Sequence, residues 1–239
     1  MSDEQVAAPP NQRRISKRGI ATRERILEAA NRLMFVRGVN ATTLDDVRKA
    51  SQTSKSQLYH HFADKQELVR ALVKYRGALV LQRERAGLER LRSFSGLVRW
   101  RDALVQANSL NNGKYGCGLG SMALELSDQD EQARSSLSET FAAWEKLISD
   151  GLHRMRDSGA LRQDADPEKL ATGLMAALQG GYLLANAAHN VAPMEVALDM
   201  ALEHVKSFLV EPSGEPTPVI GPLSRDQTAR VGCEQPGDR

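Results

Sequence analysis

Between Gly38 and Leu68 the chain carries helix-stopping and helix-starting signals so closely spaced that only short helices fit between them. Upstream, an apolar period of Ile26, Ala30, Leu33 and Met34 begins near Thr22 and runs to Arg37, and Gly38 just beyond it is a C-terminal signal. Thr43 is a good N-cap, and Asp46 three residues on completes a capping box with Asp in place of Glu. That helix turns Leu44 and Val47 inward and ends near Ala50; Ser51-Gln52-Thr53 then forms a turn. Thr53 or Ser54 caps a third helix that turns Leu58 and Tyr59 inward, after which Phe62 packs back on the first helix. Asp64 caps a long fourth helix, with Leu68, Leu72, Tyr75 and Leu79 in register. The third helix, Ser54 to His61, is polar and cationic on one side. Such a face is poor core material and suits a DNA major groove.

Charge agrees with that reading. The net charge of +2 hides a division: residues 1–75 hold 14 Lys/Arg against 8 Asp/Glu, and residues 76–239 hold 18 against 22. Positive charge therefore gathers beside the helix pair that would meet phosphates. No stretch approaches 18 apolar residues in a row, so no membrane span is expected. The first ten residues carry no basic segment followed by an apolar core, so no secretion signal is expected. Cys117 and Cys233 share no metal-ligand spacing and make no disulfide framework, which points to the cytoplasm.

Helical periodicity runs through almost the whole chain, and no segment alternates with period two for long enough to argue for a sheet. The expected fold is all-α, about nine helices, with a helix-turn-helix DNA-binding domain at 19–79 and a ligand-binding and dimerisation domain at 80–210. Residues 1–18, which turn basic at Arg13, Arg14, Lys17 and Arg18, read as a disordered arm. Residues 211–239, with prolines at 212, 216, 218, 222 and 236, read as a disordered tail. In between, helices are expected at about 94–111, 121–127, 131–157, 167–188 and 193–210. Asp166-Pro167 opens one of them as N-cap and first-turn proline. The last helix carries a narrow apolar stripe, Leu198, Ala201, Leu202, Val205 and Phe208, suited to one partner helix. The helix before it is apolar almost all round and must be covered on several sides.

Three stretches, Thr42-Thr43-Leu-Asp-Asp-Val, Ser54-Lys55-Ser-Gln-Leu-Tyr-His-His-Phe62 and Asp64-Lys65-Gln-Glu-Leu68, resemble the DNA-binding domain of TetR/AcrR-type transcriptional repressors over about residues 19–79. Gly116-Cys-Gly-Leu-Gly-Ser121 and the Trp144 helix look like a drug- or flavonoid-responsive subgroup of that family. The resemblance implies that Thr43 and Lys65 stand near phosphates at helix N-termini. It implies that Thr53, Ser54, Lys55 and Gln57 face the groove, with Gln57 able to read adenine in two-point fashion. Tyr59 and His60 resemble the family's backbone contacts, and Arg18 with the other arm cations lies along the adjacent minor groove. Gln52 stands where the family usually has a turn glycine; a positive φ there would cost about 1 kcal/mol.

The C-terminal half gathers Trp100, Tyr115, Phe141, Trp144, Met175 and Tyr182, with Asn108 and Gln179 as polar companions. Large side chains at helical spacing fill most cores, but mostly apolar residues with a few polar groups also line small-molecule pockets. His60-His61 is no metal pair, because adjacent helical residues diverge by about 100°. The glycines of 116–120 lack the G-x-G-x-x-G spacing and a P-loop lysine, which argues against nucleotide binding. No catalytic arrangement, metal site or cofactor is expected. The reading is a homodimeric repressor paired through its last two helices, bound to a palindromic operator and released by a small, largely apolar or aromatic effector. A ligand-independent DNA-binding regulator, or a helical enzyme or ligand carrier, are the alternatives.

Overall fold

The computed structural model of the chain describes residues 16–210, and among them there are nine α-helices and no β-strand. Arg13, Arg14, the tail at 211–239 and Cys233 lie outside the described residues. In order, the helices are α1 (Lys17–Arg37), α2 (Leu44–Ser51), α3 (Lys55–His61), α4 (Lys65–Leu88), α5 (Phe94–Ser109), α6 (Gly118–Leu126), α7 (Glu131–Asp157), α8 (Pro167–Ala188) and α9 (Ala192–Lys206).

Local capping chemistry sets these limits. Ser16 caps α1 by accepting from the Gly19 amide, so the helix opens at Lys17 rather than Thr22 and takes Lys17 and Arg18 out of the expected arm. At its other end Gly38 adopts φ +85°, a conformation that costs a side-chain-bearing residue energy. Thr43 with Asp46 and Ser54 with Gln57 each form a complete capping box. The thiol of Cys117 accepts from the Gly120 amide at 3.5 Å and starts α6 at Gly118, earlier than the expected 121. α9 ends at Lys206; beyond it Leu209 forms a single antiparallel bridge to Leu161.

Two apolar clusters result. One joins α1, α2, α3 and the first half of α4 through Ile26, Val47, Leu58, Phe62, Leu68 and Leu72, and it extends to Leu119 and Met122 of α6. The other joins α5, α7, α8 and α9 around Trp144, Ile148, Leu178 and Leu198. α4 runs through the expected boundary at 79/80, and Val80, Cys117 and Phe141 touch both clusters. The helices α8 and α9 approach closely at Gly181, where an added Cβ would stand 2.9 Å from the Met194 Cα. The stripe of α9 is spent here: Leu198, Leu202 and Val205 are buried within the chain, whereas Val196 and Met200 remain exposed. On α8, Leu183 and Leu184 are exposed as well. No described helix is long and apolar enough to cross a membrane.

Candidate nucleic-acid interface and ligand cavity

The third helix is held from behind. Leu58 and Phe62 are buried, and the Arg23 guanidinium of α1 sits 5.1 Å over the Phe62 ring. With those anchors inward, Ser54, Lys55, Ser56, Gln57, Tyr59 and His60 are all exposed. Tyr59 is 47% exposed, which corrects its expected inward position: a helix of two turns has one buried face, and Leu58 occupies it. The Lys55 ammonium lies 6.0 Å from the Tyr59 ring centroid. His61 is partly covered, and burial, followed by the charges of His60 and Arg23, lowers its pKa, which favours the neutral ring.

Two groove-facing expectations and one phosphate contact need revision. Thr53 is buried, with its hydroxyl 2.9 Å from that of Ser51, because the turn folds it under α3 instead of along its outer face. Gln57 is exposed, but its Oε1 accepts from the Ser54 amide at 2.9 Å, so one of the two atoms needed for adenine is engaged in the cap. Thr43 donates both its amide and its hydroxyl to Asp46 Oδ2, at 3.0 and 2.6 Å, which occupies the donors assigned to phosphate. Lys65 opens α4 as expected and donates to the Asn40 carbonyl at 3.2 Å. Arg18 borders a groove of about 300 Å³ shared with Gln57 and His60, so it stands beside α3 from within α1. The turn residue Gln52 has φ 53° and ψ 39°, the left-handed conformation its family position implied.

In the C-terminal half a cavity of about 500 Å³ lies between α6, α7 and α8. Phe141, Met175, Gln179 and Tyr182 line it together, as the sequence suggested. Gln179 Nε2 is buried there with the Cys117 sulfur as its one nearby, weak acceptor. Trp100 lies elsewhere, in a cleft of about 400 Å³ against α4, and its indole donates to buried Glu84 at 2.9 Å. Trp144 borders a third cleft of about 440 Å³. Tyr182 lines all three. Asn108 is a core residue, donating from Nδ2 to Met194 Sδ at 3.2 Å. Tyr115 packs its ring 5.3 Å from that of Phe35, outside the 500 Å³ cavity. Cys117 borders that cavity, and burial raises its thiol pKa despite the Gly120 and Leu119 amides and Gln179, so it is a packed, protonated thiol. Burial likewise raises the Tyr182 phenol, helped by Cys117.

Two side chains that sequence reasoning passed over tie this cavity to the helix pair. Glu125 of α6 accepts from the amides of Val39 and Asn40, at 3.2 and 3.1 Å, in the loop between α1 and α2. Arg76 of α4, 6% exposed, donates to the Asn31 side chain and carbonyl on α1 and to the Gly118 carbonyl on α6. Burial lowers the Arg76 pKa to about 10, against the opposing influence of Cys117 and Glu125, so it stays charged. An arginine one helical turn beyond Leu72, and a lone carboxylate in apolar α6, were the available signals.

Two capped short helices with an uncovered polar face, backed by a helical half that holds a cavity, define a helix-turn-helix DNA-binding protein. Comparison with known proteins agrees. The family model described as bacterial regulatory proteins, tetR family, matches residues 26–72, and that of the transcriptional regulator LmrA/YxaF-like C-terminal domain matches 93–200. The transcriptional repressor DhaR of Mycobacterium sp. (strain GP1) is 24% identical over 76% of this chain and 90% of its own length. The regulator LmrA of Bacillus subtilis (strain 168) is 27% identical over 72% and 90%. A crystallised TetR-family regulator from Cytophaga hutchinsonii superposes with a TM-score of 0.71 at 20% identity, covering 83% of this chain and all of that one. The chain belongs to the TetR family and is a DNA-binding transcriptional regulator.

Proposed function

We propose that the protein is a homodimeric repressor that holds a palindromic operator and leaves it when a small, largely apolar or aromatic ligand enters the cavity against α8. Residues 19–79 form the DNA-binding unit, 80–210 the ligand and dimer unit, and α4 runs through both. At the operator, Lys55, Arg18 and Lys65 supply positive charge to phosphates. Ser54 and the remaining Gln57 Nε2 donors face base edges, and Tyr59 and His60 contact the backbone. Thr43 acts through the α2 N-terminus that it caps, where unpaired amides favour an anion.

Pairing through α8 and α9 is supported by the exposed apolar side chains Leu183, Leu184, Val196 and Met200, which a second copy would cover. A two-fold pair sets its recognition helices one DNA turn, about 34 Å, apart. The name of the relative DhaR, a repressor, favours repression over activation.

One observation carries the release step: α6 walls the cavity with Gly120, Ser121 and Leu124, and the same helix grips Val39 and Asn40 through Glu125. A ligand that favours a displaced α6 shifts the loop that sets α2 and α3. It moves the equilibrium only by its preference for that state, typically about 1–3 kcal/mol. The reading is tested by footprinting the protein on DNA flanking its own gene, then titrating that site with Lys55→Ala combined with Tyr59→Ala. The double variant is expected to lose at least about 30-fold in affinity and to flatten the salt dependence by about one unit of slope. Unchanged affinity and slope would remove α3 from the interface.

A further inference from the structure

The third cleft, of about 440 Å³, lies between α1, α4 and α6, and its lining carries Arg32, Arg76 and Arg83 and no carboxylate, although Arg83 is paired at 2.8 Å with Glu84 just outside it. Arg76 is the buried one. It spends three N–H groups on neutral oxygens at 2.8, 2.8 and 3.0 Å and has no carboxylate within ion-pair distance among the described residues, Glu125 acting on it only from farther off. A guanidinium carries five N–H donors, so two remain. Buried cations are ordinarily matched by an anion, and leaving one unmatched is costly. Trp144 supplies a second, independent sign. It is 1% exposed, borders this cleft, and its indole Nε1–H has no acceptor. Buried polar groups without a partner are few in folded proteins and ask for a reason.

The cleft is not isolated. Gly116, Cys117 and Tyr182 line both it and the apolar 500 Å³ cavity, so a single layer of side chains divides a cationic chamber from an apolar one. We propose that the effector is an amphipathic carboxylic acid, its carboxylate held by Arg76 and the Trp144 indole and its apolar body extending past Tyr182 into the α6–α8 cavity. The inference rests on the effector reading above and adds the chemical class. It also gives the switch a cause: a carboxylate taking the two free N–H groups forms an ion pair stronger than the bonds to the neutral Asn31 and Gly118 oxygens and draws the guanidinium toward itself. Arg76 then loosens its hold between α1 and α6. A neutral ketone or phenol would satisfy Trp144 but leave Arg76 unmatched.

The test uses the full chain and matched probes, decanoate against methyl decanoate and 4-phenylbutyrate against its methyl ester. Binding is followed by calorimetry, and release from the operator by anisotropy. Each acid is expected to bind saturably and about tenfold more tightly than its ester. Arg76→Gln should abolish that preference and Arg76→Lys keep most of it; Trp144→Phe, which retains the ring, should shrink it several-fold. The acid-to-ester ratio is internal to each variant, so a general loss of stability does not mimic the result. If Arg76→Gln does not fold, Trp144→Phe decides. Equal affinities of acid and ester would overturn the carboxylate assignment and leave the effector cavity standing. No saturable binding by any of the four probes would overturn the carboxylate assignment and count against the effector reading too, while operator binding would stand apart from both.

Discussion

Glu125 allows a quantitative test of how α6 is tied to the helix pair. Its two carboxylate oxygens each accept one backbone amide, Val39 at 3.2 Å and Asn40 at 3.1 Å, across more than eighty residues of chain. Hydrogen bonds to a charged group contribute about 1.5–3 kcal/mol each when sheltered. Val39 is buried and Asn40 is exposed, so the second bond is discounted and the pair together contributes about 2–3 kcal/mol. Glu125→Ala should therefore release the loop by that amount. Glu125→Gln keeps the shape but turns an amide NH2 toward one of the two donors, for an expected loss of about 1–2 kcal/mol.

Hydrogen exchange reads this directly. At about 1.4 kcal/mol per tenfold, the Val39 and Asn40 amides should exchange about 30-fold faster in Glu125→Ala and about tenfold faster in Glu125→Gln. Core amides such as those of Leu152 and Leu178 should change far less, because the lesion is local. A melting temperature alone cannot separate these cases; the site-resolved ratio can. Exchange at Val39 and Asn40 that does not move, or that moves in step with the core, would refute the idea of a strap.

Three other perturbations follow from the same structure. Gln52→Gly relieves a left-handed φ of 53° at a cost of some unfolded-chain entropy, for a net gain of about 0.5–1 kcal/mol and a melting point a few degrees higher; a lower one would contradict the strain. Asp130 caps α7 and pairs with Arg70 of α4 at 2.8 Å; burial would raise its carboxyl, but Arg70 and the Ala133 and Gln132 amides outweigh that and hold it below the ordinary range. Its contribution is therefore present above the unfolded pKa of about 3.9 and fades as pH falls through the lower folded value. Asp130→Asn, which keeps the cap and loses the ion pair, should cost about 1–2 kcal/mol at pH 7 in denaturant melts and progressively less below pH 4. Leu184→Glu with Met200→Glu places two charges on exposed apolar side chains of α8 and α9, so the proposed pair should give way to monomer in sedimentation; a dimer that persists would place the proposed interface elsewhere.

What the sequence disclosed, and what it hid, divides by range. Thr43 with Asp46, Ser54 with Gln57, Asp64 before α4 and Asp166-Pro167 before α8 act on their own next turn, and each helix start they mark lies where their chemistry requires. The same locality explains the errors at the turn. Thr53 precedes a seven-residue helix and Tyr59 lies within it beside Leu58, so the roll of that helix decides which side chain is covered. Gln57 reads as a groove residue in the sequence, and only the folded geometry has its oxygen on the Ser54 amide. On α9, periodicity located the buried stripe of Leu198, Leu202 and Val205 but could not say that this chain itself, rather than a partner, would bury it.

The cavity and its coupling belong to the long-range class. Trp100 and Asn108 had the composition of pocket residues, yet Glu84 and Met194 satisfy them as core, and neither partner is near in sequence. Trp144 kept an unsatisfied donor and Gln179 one that meets only the Cys117 sulfur, a property of the assembled walls. Arg76 is the instructive case. Placed one turn beyond Leu72 on a helix whose neighbouring positions feed the core, an arginine is an anomaly that a periodicity scan counts as noise. In the fold it meets oxygens from two other helices and no carboxylate within ion-pair distance, with Glu125 acting on it only from farther off, and under the proposed switch it is the residue through which the cavity reaches the DNA-binding half. A charged residue on an apolar stripe is thus a better guide to the proposed switch than the aromatic residues around it, because its burial has to be compensated by a partner, whether in the chain or bound to it.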